Sequence, residues 1–418
     1  MKILVVGSGA REDAICKSLL KNSSNVVFCA PGNDGMKLSG IRTISIDEDD
    51  FERMANFAKT NNVDYTIVGP EEPLVNGISD FFKRQKLRIF GPTKDGAKIE
   101  GSKSFTKKLM ADAGVPTAQY REFTELDPAV DYLENEASFP IVIKADGLAA
   151  GKGVYIVQTK TEAVDTVKEL LQGHKFNTRQ VVIEEYLDGE EFSLMAFVDH
   201  KRFYPMPLAQ DYKKIFEGDK GPNTGGMGAI CPVQNISADV EAEAIDIVLK
   251  PFIEELYQQG IKYTGIIYAG LILTKSGIKV IEFNARFGDP ETEVVLPRLK
   301  SDLSEMIDSM LNHKKIANVE WETAGLNFGV FAVSKGYPEK PVFGDLGSVD
   351  NFKNCPLMIN YAAVRKENHH LISNGGRLYL MQTGADTLNE AQENVYQNLA
   401  KMDPENIYYR RDIGKNSI

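Results

Sequence analysis

The segment Ile281-Glu282-Phe283-Asn284-Ala285-Arg286 alternates apolar and polar residues with a period of two, and Phe287-Gly288-Asp289-Pro290 follows it. As a strand it sets Ile281, Phe283 and Ala285 on one face and Glu282, Asn284 and Arg286 on the other. A carboxylate, a carboxamide and a guanidinium in one row are costly to bury unless they share a ligand. Glu and Asn supply hard oxygens suited to Mg²⁺, and Arg supplies a planar fork suited to phosphate or carboxylate. Taken alone, the pattern reads better as a solvated strand face. Its neighbours in the chain reverse that preference.

Lys144-Ala145-Asp146-Gly147-Leu148-Ala149-Ala150-Gly151-Lys152-Gly153 has the glycine density of a phosphate loop but not its order. Gly153 stands where a P-loop needs Ser or Thr, and Val154-Tyr155-Ile156-Val157 reads as a strand, not a helix. The segment is therefore strand, loop, strand, and such a loop can fold over nucleotide phosphates through backbone amides. Lys144, embedded in an apolar strand, would supply a point charge to the same phosphates. Val181 to Leu187 then runs into Asp188-Gly189-Glu190-Glu191, where an adenine ring can lie on the apolar positions and a carboxylate can take ribose hydroxyls. A polar run from Gln210-Asp211 to Lys213-Lys214 leads to Gly221-Pro222-Asn223-Thr224-Gly225-Gly226-Met227-Gly228. That is too glycine-dense for an ordinary linker, and backbone in unusual conformations or close to a substrate would account for it.

At the opposite end of the chain, Gly7-Ser8-Gly9-Ala10-Arg11-Glu12 follows a strand and opens a helix, which makes an anion site of backbone amides with Arg11 beside it. It resembles a dinucleotide fingerprint by position only. Glu12 replaces the third glycine, and the second strand ends in Ala30-Pro31-Gly32 with no acid for a ribose hydroxyl, so a smaller phosphate-bearing ligand fits better than NAD or FAD. Glu71, in Val68-Gly69-Pro70-Glu71, falls on the same sheet edge and can accept sugar hydroxyls.

The elements that must position these groups follow from periodicity. Strands at Lys2 to Val6, Val26 to Cys29 and Asp64 to Val68 alternate with helices at Arg11 to Lys21 and Asp50 to Thr60, predicting a parallel sheet covered on both faces. One helix is predicted from Lys98 to Asp112, stopped by Gly114 and Pro116, with a domain boundary near residue 100. Strand pairs follow at Ile141 to Lys144 with Val154 to Val157, and at Val181 to Tyr186 with Phe192 to Val198, with a helix from Thr161 to Leu171 between. Further strands are predicted at Thr264 to Leu273 and Lys279 to Phe283, and helices at Ser301 to Leu311 and Asn389 to Met402.

A chain of 418 residues exceeds one ordinary core, and two to four domains are expected. A formal charge of −11 without a Lys/Arg-rich run argues against nucleic acid or an anionic membrane as partner. No segment is apolar for long enough to serve as a signal peptide or a membrane span. Four scattered cysteines and five dispersed histidines lack metal-ligand spacing, which fits reduced thiols in a cytoplasmic enzyme and disfavours histidine chemistry.

Together these motifs closely resemble the glycinamide ribonucleotide synthetases (phosphoribosylamine–glycine ligases), a family of ATP-grasp enzymes of purine biosynthesis, over essentially the whole chain. The resemblance implies a multidomain α/β and α+β architecture: a Rossmann-like substrate-binding domain over 1–100, an ATP-grasp region over 101–325 with a lid subdomain at about 120–190, and a mixed α/β C-terminal domain over 326–418. It implies that glycine and 5-phosphoribosylamine are joined through glycyl phosphate, with release of ADP and phosphate. Carried over by motif, Glu282 and Asn284 would hold Mg²⁺ (or Mn²⁺), Arg286 would stabilise the transferring phosphoryl group, and Lys103 and Lys144 would contact the ATP phosphates. Gly151, Gly153, Glu184, Glu185, Leu187 and Glu191 would line the nucleotide site. Gly9, Arg11 and Glu71 would hold the sugar phosphate, with Asp211, Asp289 and Arg298 near glycine and the sugar and Asp211 in a catalytic role. A cytoplasmic monomer is expected, with weak homo-oligomerisation as the alternative. Two departures stand out: the family commonly reads Gly-Gly-Arg-Glu-His where this chain has Ala10-Arg11-Glu12-Asp13, and a Cys often follows the Asn where this chain has Ala285. The competing readings are an ATP-grasp ligase with another substrate pair, a nicotinamide-dependent oxidoreductase and a silent nucleotide-binding regulator.

Overall fold

The computed structural model describes residues 1–148, 153–402 and 404–415. Its opening unit is a parallel sheet in the spatial order Arg42–Thr43, Val26–Pro31, Lys2–Gly7, Tyr65–Val68, Ile89–Phe90. The three central strands are almost entirely apolar, as burial on both faces demands. The order reverses at Lys2–Gly7, so the crevice beyond the carboxyl ends of Lys2–Gly7 and Tyr65–Val68 is where such sheets receive ligands.

The expected single helix over Lys98 to Asp112 is two helices, Lys94–Gly101 and Lys103–Asp112. Ser102 is extended between them (φ −144°, ψ 114°), and its hydroxyl caps the second by accepting the Phe105 N–H. Hydrophobic periodicity continues across such a break, which is why it is invisible in the pattern alone.

A small sheet follows in the order Tyr120–Phe123, Val181–Glu185, Ile141–Ala145, Val154–Val157, antiparallel throughout and backed by helices Leu126–Asn135 and Lys160–Leu171. The predicted pairing of Ile141 to Lys144 with Val154 to Val157 is present. The predicted pairing of Val181 to Tyr186 with Phe192 to Val198 is not: the second strand, Glu190–Asp199, belongs to another antiparallel sheet, between Arg202–Pro205 and Thr264–Thr274, with Gly277–Asn284 at the far edge. The short turn at Leu187-Asp188-Gly189 thus joins two sheets instead of closing a hairpin.

The glycine-dense segment is, as expected, no ordinary linker, with positive φ at Gly221 and Gly226. Gln210–Asp211 and Gly228–Cys231 are strands of a larger sheet with Leu326–Ser334, Arg377–Ala385 and Met358–Tyr361, and Lys214–Phe216 pairs with Lys220–Asn223 as a hairpin between them. This sheet takes strands from both sides of the expected boundary at 325/326, and Tyr212, Met227 and Ile230 share one apolar cluster with Phe328, Val330 and Leu380. The helix Leu388–Lys401 covers it. Among the described residues no helix is long and apolar enough to cross a membrane.

Candidate active site

The strand Gly277–Asn284 carries the row of polar residues, but its apolar face is not the one expected. A β-bulge separates the pairs Gly270↔Glu282 and Leu271↔Val280, so the extra residue is Ile281. Parity switches there: Ile278 and Val280 before the bulge, and Phe283 and Ala285 after it, all face the core. Ile281, expected beside Phe283, instead lines a narrow cleft with Glu191, Phe192, Ser193, Asp211, Lys213, Tyr268, Gly270 and Leu271. Its displaced carbonyl accepts the Lys144 Nζ at 3.0 Å.

Glu282 sits among cations. Burial would raise its pKa, but Lys213, Lys144, Lys103 and Arg286 act on it together and hold it below the ordinary carboxylate value. No described residue pairs with it within 4.0 Å, so an ionised carboxylate is kept open by charges that do not occupy it. Asn284, nearly buried and two residues further on the same face, makes no side-chain hydrogen bond to a described residue. Two hard oxygen donors with free lone pairs suit Mg²⁺ or Mn²⁺ better than a soft metal.

Arg286 lies beside the strand end with Glu100 Oε1 at 3.0 Å from Nη2 and Glu71 Oε2 at 3.3 Å from Nε. Those two carboxylates outweigh its burial and raise its pKa. Arg11 is buried too; its Nε donates to Glu12 at 2.6 Å and its Nη1 lies 4.0 Å from Glu71. Glu71 is pulled down to about 2, since Arg286 and then Arg11 overcome the effect of burial.

Lys144 is 4% exposed and is not unpaired: its Nζ meets Glu184 Oε2 at 2.9 Å, while Lys107 Nζ holds the other oxygen at 3.1 Å. Glu184, equally buried, therefore anchors two lysines with its side chain. Burial, only partly offset by Glu184, brings Lys107 down to about 8. Lys103 heads the helix Lys103–Asp112, and its Nζ donates to the Gly147 carbonyl at 2.9 Å. Asp146 caps that helix by accepting the Lys103 N–H at 2.6 Å, tying the root of the glycine-rich loop to the lysine that shares its ligand field. Gly153 is buried and its carbonyl accepts the Ala145 N–H at 2.8 Å; Gly151 lies outside the described residues. Glu185 is held by Lys279 at 2.7 Å and by the Gln119 N–H, Leu187 is partly buried nearby, and Glu191 reaches Lys213 at 3.2 Å.

At the N-terminal turn the geometry is more closed than the motif suggests. Glu12 Oε2 accepts the Gly9 N–H at 2.7 Å, so that amide is already used. A Cβ on Gly69 would fall 2.0 Å from Glu12 Oε1, and one on Gly7 2.4 Å from Glu12 Cγ. The Glu12 side chain thus fills the crevice in which a dinucleotide pyrophosphate would lie, a stronger bar to NAD than the missing ribose acid. Asp13 and Ala10, the family departures, serve docking: Asp13 accepts the Tyr361 N–H at 2.7 Å and pairs with Lys17 at 2.7 Å, and Ala10 packs into the cluster of the C-terminal strands.

Beyond the cleft, Asp211 Oδ1 is buried without a hydrogen-bond partner, and burial with Glu291 pushes its carboxyl well above the usual range. Glu291 Oε1 accepts Ser193 Oγ at 2.7 Å and Tyr268 OH at 2.9 Å. Asp289 pairs with Arg377 at 2.6 Å. Arg298 is turned away from the other candidates; its Nη2 donates to the carbonyls of Glu322 and Ala324 at 2.8 and 3.1 Å. The structure therefore gathers Lys103, Lys144, Glu282 and Arg286 into one field with Arg11 and Glu71 adjoining it. Glu191 and Asp211 line the neighbouring cleft. Glu100, Lys107, Glu291, Glu293 and Arg377 join the site although no sequence motif singles them out. Glu291 and Glu293 follow Asp289 directly and lie within reach of the motif, whereas Arg377 is distant in sequence and carries no local signal.

Family models for phosphoribosylglycinamide synthetase match the chain in three parts: the N domain over residues 1–100, the ATP-grasp (A) domain over 101–292 and the C domain over 327–416. The chain is 48% identical over 424 residues to the phosphoribosylamine–glycine ligase of Streptococcus pneumoniae serotype 4, covering 100% of both chains. The crystal structure of a phosphoribosylamine–glycine ligase from Thermotoga maritima superposes with a TM-score of 0.85 at 30% identity, covering 99% of this chain and 100% of that one. A biotin carboxylase domain of Hydrogenobacter thermophilus 2-oxoglutarate carboxylase shares the fold at a TM-score of 0.73 and 15% identity, covering 97% of this chain and 91% of that one.

Proposed function

Because the chain belongs to the phosphoribosylglycinamide synthetase (phosphoribosylamine–glycine ligase) family, and so is an ATP-dependent ligase of purine biosynthesis, we propose that it joins glycine to 5-phosphoribosylamine through glycyl phosphate at the Glu282–Asn284–Arg286 row. A carboxylate attacked directly by an amine has no competent leaving group. Transfer of the γ-phosphoryl group to glycine's carboxylate provides one, and the amine then displaces phosphate. The protein's share is positioning and charge neutralisation.

ATP-grasp enzymes use ATP with a divalent metal; here Glu282 and Asn284 would hold Mg²⁺ (or Mn²⁺), which when bound neutralises charge on the phosphoryl groups. Lys144, on the strand that enters the glycine-rich loop, and Lys103, heading the helix tied to that loop through Gly147 and Asp146, would contact the same phosphates. Arg286 is held ionised by Glu71 and Glu100 and stabilises the charge of the phosphoryl group in flight. Glu185, Leu187 and Glu191 border the nucleoside, while Arg11 and Glu71 border the sugar phosphate. Asp211, whose Oδ1 is buried in the cleft beside Glu191 and Lys213 without a hydrogen-bond partner among the described residues, takes the proton that the amine sheds as the amide bond forms.

The observation that carries this reading is the ionised Glu282, unpaired among the described residues, inside a ring of three lysines and an arginine. The test is ADP release measured with each substrate left out in turn. Release should require glycine and phosphoribosylamine together; ADP formation indifferent to both would exclude the reading.

A further inference from the structure

The short helix Glu291–Val295 carries a carboxyl group with no part in the steps above. Glu293 is 0% exposed, and among the described residues neither of its oxygens has a hydrogen-bond partner. An ionised carboxylate in that position would be strongly destabilising, so the group must either be neutral or share a proton. Burial first, and the Asp289 carboxylate second, push it well above the ordinary range, while Arg377 and Arg11 act in the opposite sense.

Asp289, four residues earlier, is satisfied on one side only. Its Oδ2 meets Arg377 Nη2 at 2.6 Å, and its Oδ1 is buried without a partner. Two ionised carboxylates offer each other only acceptors, whereas one proton between them creates a donor and serves an oxygen of each. Arg377 also donates through Nη1 to the Gly225 carbonyl. The next residue, Gly226 (φ +105°), is pressed against both Pro290 and Asp211: a Cβ there would lie 2.4 Å from Pro290 Cδ and 2.7 Å from Asp211 Oδ1. A chain of contacts therefore runs from Asp289 through Arg377 to the Gly225–Gly226 turn and ends at Asp211, and the charge of Asp289, at its head, acts on the buried Glu293 carboxyl four residues further on.

We propose that Glu293 is a positioning residue: its carboxylic acid gives a hydrogen bond to the open oxygen of Asp289, and this fixes the Asp289–Arg377 pair and the glycine turn that seats Asp211. The proposal rests on the reading of Asp211 as a residue of the amine end of the site. The groups facing Glu293 are Asp289 on the preceding loop, Arg377 on the strand Arg377–Ala385 and Arg11 on the opening helix.

The test compares wild type, Glu293→Gln and Glu293→Met by kcat and KM for glycine and for ATP, and by Tm, from about pH 6 to about pH 9. Gln keeps a neutral N–H donor of the same shape, so Glu293→Gln should stay within about threefold of wild type near neutrality. Wild type should lose affinity for glycine in alkali as its carboxyl ionises, and Glu293→Gln should not. Glu293→Met removes the donor and should raise the glycine KM about tenfold or more while leaving the ATP KM nearly unchanged. Independently of activity, the Tm of Glu293→Gln relative to wild type should climb with pH, because above the ordinary carboxyl pKa of 4.5 the folded wild type holds a proton that its unfolded chain has released, so wild-type stability falls as pH rises. Identical pH profiles for wild type and Glu293→Gln, in glycine KM and in Tm, would overturn the proposal. A Glu293→Gln enzyme that folds normally but is crippled near neutrality would overturn it too. If wild type forms ADP without needing glycine, the ligase reading fails instead, and the Tm series alone decides the protonation of Glu293.

Discussion

Glu71 shows how single side chains set the charge state of this site. Its ordinary pKa of 4.5 falls to about 2, because the two guanidinium groups of Arg286 and Arg11 more than offset burial. The unfolded chain binds a proton below 4.5 and the native state only near 2, so the contribution to stability is complete above 4.5 and is lost as pH falls between the two values. A shift of that size corresponds to roughly 3 kcal/mol, and solvent screening of a side chain that is 27% exposed reduces it to about 1–2 kcal/mol. Glu71→Gln should therefore lose about 1–2 kcal/mol in urea unfolding near pH 7, with the deficit shrinking as pH is lowered toward about 3. A deficit that does not change with pH would show that the ion pairs are not its source. The alternation itself was legible, and Glu282 and Asn284 do share a face of the strand; alone it reads as a solvated face, and only the neighbouring motifs turn it toward a metal and phosphate row. The fate of Ile281 was not legible, because a bulge is defined by the partner strand, and a period of two along one strand carries no trace of the extra residue.

At the scale of elements, the decisive pieces are the ones that bend. The glycine-dense run signalled unusual backbone correctly, since both Gly221 and Gly226 have positive φ, yet it forms strands and a hairpin instead of an open loop. Its partners, Leu326–Ser334 and beyond, lie about a hundred residues away in sequence, and such pairings leave no local pattern. Gly226 needs its missing side chain for two reasons, conformation and space, and these can be separated. Gly260 also has a positive φ, 76°, but a Cβ added there would meet nothing within 4 Å, whereas Gly226 has Pro290 and Asp211 in the way. Gly260→Ala should cost only the backbone strain, about 1–2 kcal/mol, with kcat/KM unchanged. Gly226→Ala should lose that and, by displacing Asp211, about tenfold or more in kcat/KM for glycine. Equal activity in the two variants would show that the glycine turn does not seat Asp211. Elsewhere, the cluster of Asp199 with His200, His313 and Arg202 shows the same economy: the carboxylate meets N–H donors from a hairpin turn and from the segment after the helix Leu303–Leu311, and it fastens those elements together.

The whole molecule is legible in outline because its layers repeat familiar physics: a parallel apolar sheet at the start, a small antiparallel lid, and an antiparallel sheet whose edge strand bears the polar row. What the sequence conceals is how the ends meet. Asp13 on the opening helix binds the Tyr361 amide, Ala10 enters the core of the last strands, and Arg377 reaches from those strands to Asp289. The C-terminal region thus completes a site whose visible motifs all lie before residue 300, through contacts that no spacing rule foretells. In the proposed mechanism the site they frame carries out one chemical event, the passage of a phosphoryl group onto glycine's carboxylate before the amine attacks. The direct test is to run the reaction with glycine labelled with ¹⁸O in its carboxylate and to analyse the released phosphate by mass spectrometry. Attack by the carboxylate on phosphorus predicts that one labelled oxygen passes from each glycine consumed into inorganic phosphate. Unlabelled phosphate, formed alongside the glycinamide product, would contradict the acyl phosphate and with it the role given to the Glu282–Asn284–Arg286 row.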